Sequence, residues 1–150
     1  MEWPTLGSTV VVQVAITVPD IDAAASAWAA LLGVPKPPIM ITDPLEQAHT
    51  EYRGAPTPAR AKLAFFRLGQ VSLELIEPID GPSTWKDGLD AHGPSLHHIA
   101  FQIKGMNEQL AILAAHGASL VQRGEYTGGR YAYVDGTARL GAVIELLEHD

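Results

Sequence analysis

The sequence predicts an α+β domain built from two copies of one strand–helix–strands module, and three observations lead there. The chain has 150 residues, the size of one ordinary domain. Its β-branched apolar runs alternate with helix-forming segments closed by glycine, and the order strand, helix, strands occurs twice. The halves also align residue by residue. Gln13-Val14-Ala15-Ile16 stands over His98-Ile99-Ala100-Phe101 at an offset of 85, and Gly33 over Gly117 at 84. Ser72-Leu73-Glu74-Leu75 stands over Val143-Ile144-Glu145-Leu146 at 71. Such a period is too long for a solenoid and fits a duplicated small module. One domain over 1–150 is expected, with module one at about 7–77 and module two at about 95–148, their sheets meeting around a shared cleft or core.

Each element has its own signal. Gly7–Val18 (GSTVVVQVAITV) is β-branched and apolar, broken once by Gln13, and reads as a strand. Ala23–Gly33 follows as an alanine-rich helix, with Asp20 or Asp22 to cap it and Gly33 and Pro35 to end it. Pro35–Arg60 holds six prolines and reads as a long connection with room for one short strand. Lys62–Leu68 and Val71–Ile76 form two strands joined at Gly69-Gln70. Pro78–Pro94 is a second loop carrying a short helix around Ser83–Leu89. In the second half, Leu96–Ile103 is a strand, Met106–His116 a helix stopped by Gly117, and Ser119–Gln122 a short strand. Tyr131–Val134 and Ala142–Leu147 are a last pair of strands, separated around Asp135-Gly136.

Composition narrows the chemistry. The chain is 47% hydrophobic and 18% charged, enough for a real core. A formal charge of −7 argues against a general nucleic-acid or anionic-membrane surface. There is no cysteine, so disulfides, thiolate nucleophiles and cysteine-bound metals are excluded, and any metal must use oxygen and imidazole donors. Met1-Glu2-Trp3-Pro4 does not read as a leader, and no apolar run approaches the roughly 20 residues of a membrane span. A cytoplasmic protein with a small-molecule substrate is the expectation.

Four polar residues interrupt apolar strands at matching places in the repeat: Gln13, Glu74, His98 and Glu145. A buried bare carboxylate costs several kcal/mol or takes up a proton, so two such glutamates call for partners. A divalent cation would supply them, and imidazole, carboxylate and amide oxygen suit Mn, Fe, Co, Ni, Zn or Mg. The competing reading is that strand alternation sends both glutamates to solvent. His97 and His98 are adjacent in a strand and are expected to face opposite ways. The repeat selects His98 for the cleft and leaves His97 as a surface, supporting or interface residue.

Other segments offer less. Gly124–Arg130 (GEYTGGR) lacks the spacing of a nucleotide-binding loop. It reads as a flexible turn, a substrate lid or an ordinary hairpin, with Arg123 or Arg130 able to meet an anionic group. His49, Glu51, Tyr52 and Arg53 form a polar cluster in the long loop, a source of an acid, a base or a substrate contact.

With these segments in view, the chain resembles the vicinal oxygen chelate superfamily, and within it the glyoxalase-like and methylmalonyl-CoA-epimerase-like members. The matching stretches are VQVAITVPDIDAAASAWAALLG, LAFFRLGQVSLELIEPIDG, GPSLHHIAFQI and RYAYVDGTARLGAVIELLE. The resemblance implies paired βαβββ modules, a cupped mixed sheet around a central cleft, one divalent metal ion and a substrate chelated through adjacent oxygens. It places the four metal ligands at Gln13, Glu74, His98 and Glu145. The first is a departure, since the epimerases usually have histidine there. A second departure is that Ala61–Arg67 (AKLAFFR) lacks the carboxylate base expected of the epimerases on this strand. A homodimer is also implied.

The function expected is that of a metal-dependent isomerase, epimerase or lyase stabilising an enediolate. Glu145 is the leading proton carrier, Glu74 the second. A metal-free small-molecule binding or resistance protein is the alternative, and fold cannot separate the two. A ring-cleaving dioxygenase ranks lower, because Gln13 leaves its two-histidine, one-carboxylate set incomplete.

Overall fold

The computed structural model describes residues 3–150, and the fold follows from which face of each strand is apolar. Ten strands form one sheet in the order β2-β5-β6-β1-β7-β10-β9-β8-β3-β4. In chain order the first half contributes β1 (Val11–Thr17), α1 (Ile21–Leu32), β2 (Met40–Ile41), α2 (Leu45–Ala48), β3 (Glu51–Tyr52), β4 (Ala55–Pro56), β5 (Arg60–Leu68) and β6 (Val71–Ile79). After α3 (Thr84–His92), the second half contributes β7 (Ser95–Gln102), α4 (Met106–Ala115), β8 (Ser119–Tyr126), β9 (Gly129–Gly136), α5 (Thr137–Leu140) and β10 (Ala142–His149).

The repeat read from sequence appears as two βαβββ modules. β1 pairs parallel with β6 and β7 parallel with β10, while β1 and β7 meet antiparallel at the centre. β5 and β9 then add antiparallel on either side. The result is the cupped mixed sheet that the sequence predicted.

Alternation along the central strands sorts residues between two faces. Ile16, Leu73, Leu75, Ala64 and Phe66 face outward, where α1 covers them with Ile21, Ala25 and Ala29 spaced four residues apart. Ala132, Val134, Ile144 and Leu146 do the same in module two, under Met106 and Leu113 of α4. The opposite parity points into the cup: Ala15, Ala61, Ile76, Tyr133 and, from α3, Trp85 form its floor. Burying each large outward side chain is worth about 1.5–3 kcal/mol, so a one-residue register slip would be strongly disfavoured.

The helix ends match their signals. Asp20 caps α1 by accepting from the Ala23 amide at 3.1 Å, and Gly33 closes it at φ 67. α1 begins at Ile21, two residues earlier than expected, because the apolar Ile21 is buried in the core. Ser83 caps α3, which runs to His92, three residues beyond the expected end.

The long connection 35–60 departs from expectation. It contributes three short strands and a helical turn, where one strand was expected. β2 extends the edge of module one on β5. The β3–β4 hairpin crosses over and pairs with β8, the edge of module two. A stretch with little periodicity thereby covers an otherwise open sheet edge. Among the described residues, no helix is long and apolar enough to cross a membrane.

Candidate metal centre

Gln13, Glu74, His98 and Glu145 lie on the four adjacent strands β1, β6, β7 and β10, all on the inner face. Register explains the convergence. Ala15 pairs with both Glu74 and His98, and Ala100 pairs with both Gln13 and Glu145. Thus each polar residue is a near neighbour of the next across the pseudo-two-fold between β1 and β7. Ala15 and Ala100 are fully buried, and their methyl groups leave the space that the four longer side chains fill.

All four are buried, which overturns the reading that the glutamates turn to solvent. His98 Nε2 lies 3.1 Å from a Glu145 carboxylate oxygen and 3.6 Å from one of Glu74. The Gln13 amide oxygen is 3.2 Å from the same nitrogen. Ligand atoms of Glu74, His98 and Glu145 all lie within 4.8 Å of one another. Cis ligands about 2.1 Å from a shared ion stand about 3 Å apart, so these spacings suit a small divalent cation.

His97 does not face away from His98. β7 bulges here: Ala15 pairs with His98 and Ile16 with Leu96, leaving His97 as the extra residue. The bulge breaks alternation, and His97 is buried, with its Nδ1 2.7 Å from His98 Nδ1. Its Nε2 lies 3.1 Å from the Thr84 carbonyl oxygen. A carbonyl only accepts, so His97 Nε2 carries the hydrogen and His97 Nδ1 accepts. His98 must then donate through Nδ1, which leaves His98 Nε2 with a bare lone pair facing the glutamates. An outer hydrogen bond of this kind sets which nitrogen is free to bind a metal.

The electrostatics agree with the geometry. Burial holds both imidazoles neutral, with pKa values of about 3. Burial, and then the neighbouring Glu145 charge, raises the Glu74 carboxyl well above its usual range. Burial lifts Glu145 to about 8, against the Tyr133 hydroxyl, which favours its carboxylate. Trp85 Nε1 donates to that hydroxyl at 2.9 Å and orients it. With both glutamates ionised the four groups offer only acceptors, and burial keeps these carboxyls protonated unless a cation joins them. The buried Glu–His–Glu triad can therefore hold a metal.

A cavity of about 450 Å³ opens onto Gln13, Glu74 and Glu145. Its wall includes Leu63, Phe65, Trp85 and Tyr131, with Asp43, Glu125 and Tyr126 among the polar members. Trp85, which the sequence offered as a pocket-lining or dimer-contact residue, lines the cavity, whereas sequence reasoning missed Tyr126, Tyr131 and Tyr133. The strand parity of Tyr131 and Tyr133 with Glu145 was the available signal, because β9 pairs Tyr133 opposite Glu145.

Tyr52, Arg123 and Arg130 are not on this wall. The Tyr52 hydroxyl donates to Asp87, outside the cavity wall. Arg123 pairs with Glu51 in the β3–β8 register. Arg130 is bound to Glu148 at 2.9 Å and to Asp150. Gly124–Arg130 is a hairpin of β8 and β9, and its Glu125, Tyr126 and Thr127 line the cavity. Its glycines make room for aromatics: a Cβ on Gly124 would stand 2.7 Å from the Tyr131 ring, and one on Gly129 2.8 Å from the Tyr126 hydroxyl.

Comparison with known proteins agrees with this architecture. The family profile described as the Glyoxalase/Bleomycin resistance protein/Dioxygenase superfamily matches residues 12–134. The chain is 35% identical over 92 residues to YqjC, an uncharacterized protein of Bacillus subtilis (strain 168), covering 59% of this chain and 66% of that one. Among solved structures it is similar to hypothetical protein BH1468 from Bacillus halodurans C-125, with a TM-score of 0.65 and 20% identity over 94% of each chain. It is also similar to methylmalonyl-CoA epimerase from Mycobacterium tuberculosis, with a TM-score of 0.62 and 21% identity, covering 99% of this chain and 93% of that one. With its profile match spanning both modules, the chain belongs to the glyoxalase/bleomycin resistance protein/dioxygenase superfamily, the vicinal oxygen chelate proteins.

Proposed function

We propose that the protein is a divalent-metal-dependent isomerase or epimerase acting on a small oxygenated substrate. The observation that carries this is the convergence of the Gln13 amide, the bare Nε2 of His98 and the carboxylates of Glu74 and Glu145 at the inner end of a cavity. These four residues would hold the ion. A divalent cation held there would supply Lewis acidity to a substrate oxygen, lowering the cost of removing a proton from the carbon beside it.

The chain's own groups do the rest. Glu145, released from the ion, would take the proton from that carbon and return it to the neighbouring carbon. Inversion at one carbon would instead draw the returning proton from Glu74 while Glu145 keeps the one it took, so no proton is gained or lost overall. Burial, which raises the Glu145 pKa, makes its carboxylate a better proton acceptor than an exposed one. The Tyr133 hydroxyl, oriented by Trp85, steadies the carboxylate between transfers. Glu74 is the second candidate for the same role. Leu63, Phe65 and Trp85 exclude water from the reacting atoms. The structural similarity to epimerases of the same fold supports an isomerase over a lyase. A homodimer belongs to this proposal and is read from the solution mass.

The test is metal content after loading and desalting. One ion per chain is expected in the wild type, and none in His98→Ala or Glu145→Ala. Equal content in all three proteins would sink the assignment.

One observation favours a second reading, a metal-free binding protein. Rotating the Gln13 amide puts its NH₂ 2.8 Å from Glu145 and 3.2 Å from both Glu74 and His98 Nε2. That donor would satisfy the cluster without an ion. Under this reading the loaded wild type would hold no metal.

A further inference from the structure

The cavity specifies more than a metal-chelating head group. Asp43, Glu74, Glu125 and Glu145 contribute to its wall, with the exposed His149 as its one imidazole, and among the described residues no lysine or arginine does. Two of these acids belong to the metal centre, where a divalent cation would offset them. Asp43 is left over, while Glu125, exposed at the solvent side of the cavity, is paired with His49 Nδ1. The nearby cations are committed elsewhere. Arg60 donates through Nε to the Thr42 carbonyl at 2.8 Å, Lys62 faces Glu77 at 3.6 Å, and Arg130 holds Glu148 and Asp150. Arg67 shares the face of Phe65 on β5 but stands two residues further on, about 7 Å along the strand, and is exposed.

The wall between the mouth and the centre is apolar and aromatic, formed by Leu63, Phe65, Trp85 and Leu147. A carboxylate or phosphate lying there would lose its water without gaining a cation, and would face Asp43 and Glu125 as well. In the same wall the hydroxyl of Tyr126 is shielded from solvent and has no hydrogen-bond partner.

Resting on the metal reading above, we infer that the substrate is an uncharged molecule. It carries its adjacent oxygens as a hydroxy-ketone, diol or lactone on an apolar body, and has no carboxylate or phosphate elsewhere. A dicarboxylate, whose second anion would lie within the cavity, does not fit this wall.

The test uses two probes with one chelating head and different tails. Octanohydroxamic acid ends in a methyl group, and suberic acid monohydroxamate, of the same chain length, ends in a carboxylate. Calorimetry on Mn²⁺-loaded and metal-free protein measures both. The expected result is at least tenfold tighter binding of the methyl-ended probe to the loaded protein, with the gap narrowing in the Asp43→Asn/Glu125→Gln variant. Equal or tighter binding of the carboxylate-ended probe overturns the inference, as does failure of both probes to bind either form. An undiminished gap in the double variant overturns its electrostatic basis. Preference for the methyl-ended probe that persists without Mn²⁺ supports the uncharged ligand while counting against the metal reading.

Discussion

His97 Nδ1 lies 2.7 Å from His98 Nδ1, so the imidazole at the centre of the site is held by the residue beside it in sequence. Because the Thr84 carbonyl fixes the hydrogen on His97 Nε2, the pair turns His98 Nε2 toward Gln13 and the glutamates as a lone pair. His97→Phe keeps an aromatic ring in the bulge but removes the acceptor for His98. Metal affinity should fall about 10–100-fold, the scale on which outer-shell partners of metal-binding histidines act. Competition with a chelator of known affinity measures the loss. Long-range ¹H–¹⁵N spectra of the metal-free wild type should show His97 protonated at Nε2 and His98 at Nδ1.

This pair also marks where the sequence stopped being readable. The inner-face positions of Gln13, Glu74, His98 and Glu145 followed from the repeat, because alternation holds on β1, β6 and β10. The bulge at His97 had no sequence signal, since an extra residue in one strand is visible only against its partner. The crossing of Glu51–Pro56 to the edge of module two was equally hidden. It rests on a long-range pairing that no local pattern specifies. For Gly124–Arg130 the sequence left turn, lid and hairpin open, and the hairpin is what forms. Gly124 answers to the Tyr131 ring, Gly128 to a left-handed turn at φ 94, and Gly129 to the Glu148 carbonyl and the Tyr126 ring. The ion pairs of Arg130 with Glu148 and Asp150 depend on β9 lying beside β10, again beyond local reading.

The metal-free protein should lose stability on the alkaline side. Glu145 and Glu74 hold protons in the fold that the unfolded chain releases above about 4.5, so stability falls as pH rises from there through about 8. His97 and His98 act in the opposite sense. The unfolded chain protonates them below 6.5, so stability also falls as pH drops from 6.5 toward about 3. The effects oppose one another between 4.5 and 6.5, and above 6.5 only the carboxyl loss is left. Denaturant midpoints of chelator-treated protein should therefore be lower at pH 8 than at pH 6. Saturating Mn²⁺ should raise the pH 8 midpoint more than the pH 6 one.

Glu74→Gln separates stability from function. Removing a buried carboxylate while keeping its shape should leave the metal-free protein at least as stable at pH 8, because the desolvation cost disappears. The same change should weaken metal binding. Its outward neighbour gives the converse: Leu75→Ala, in the fully buried α1-facing core, should cost about 2–5 kcal/mol of unfolding free energy. Metal stoichiometry of the folded Leu75→Ala protein should be unchanged. Urea unfolding and metal analysis on the two variants check both halves.

Ala15 and Ala100 set the width of the centre. Each is fully buried and pairs directly with site residues on the adjoining strands. Ala100→Val adds two methyl groups where Gln13 and Glu145 approach each other. Overpacking of this kind costs about 1–3 kcal/mol, and the displaced ligands should bind metal more weakly. A drop in both unfolding free energy and metal affinity is expected. A loss of stability alone would mean that the alanines serve packing and not the site.

The central claim is that four side chains from two modules hold one divalent ion. Anomalous diffraction from crystals grown with Mn²⁺ tests it most directly. The account predicts a single strong anomalous peak between Gln13, Glu74, His98 and Glu145, with the Gln13 amide oxygen and His98 Nε2 among its ligands. An empty centre, with the Gln13 NH₂ turned in to donate to Glu74 and Glu145, would contradict it.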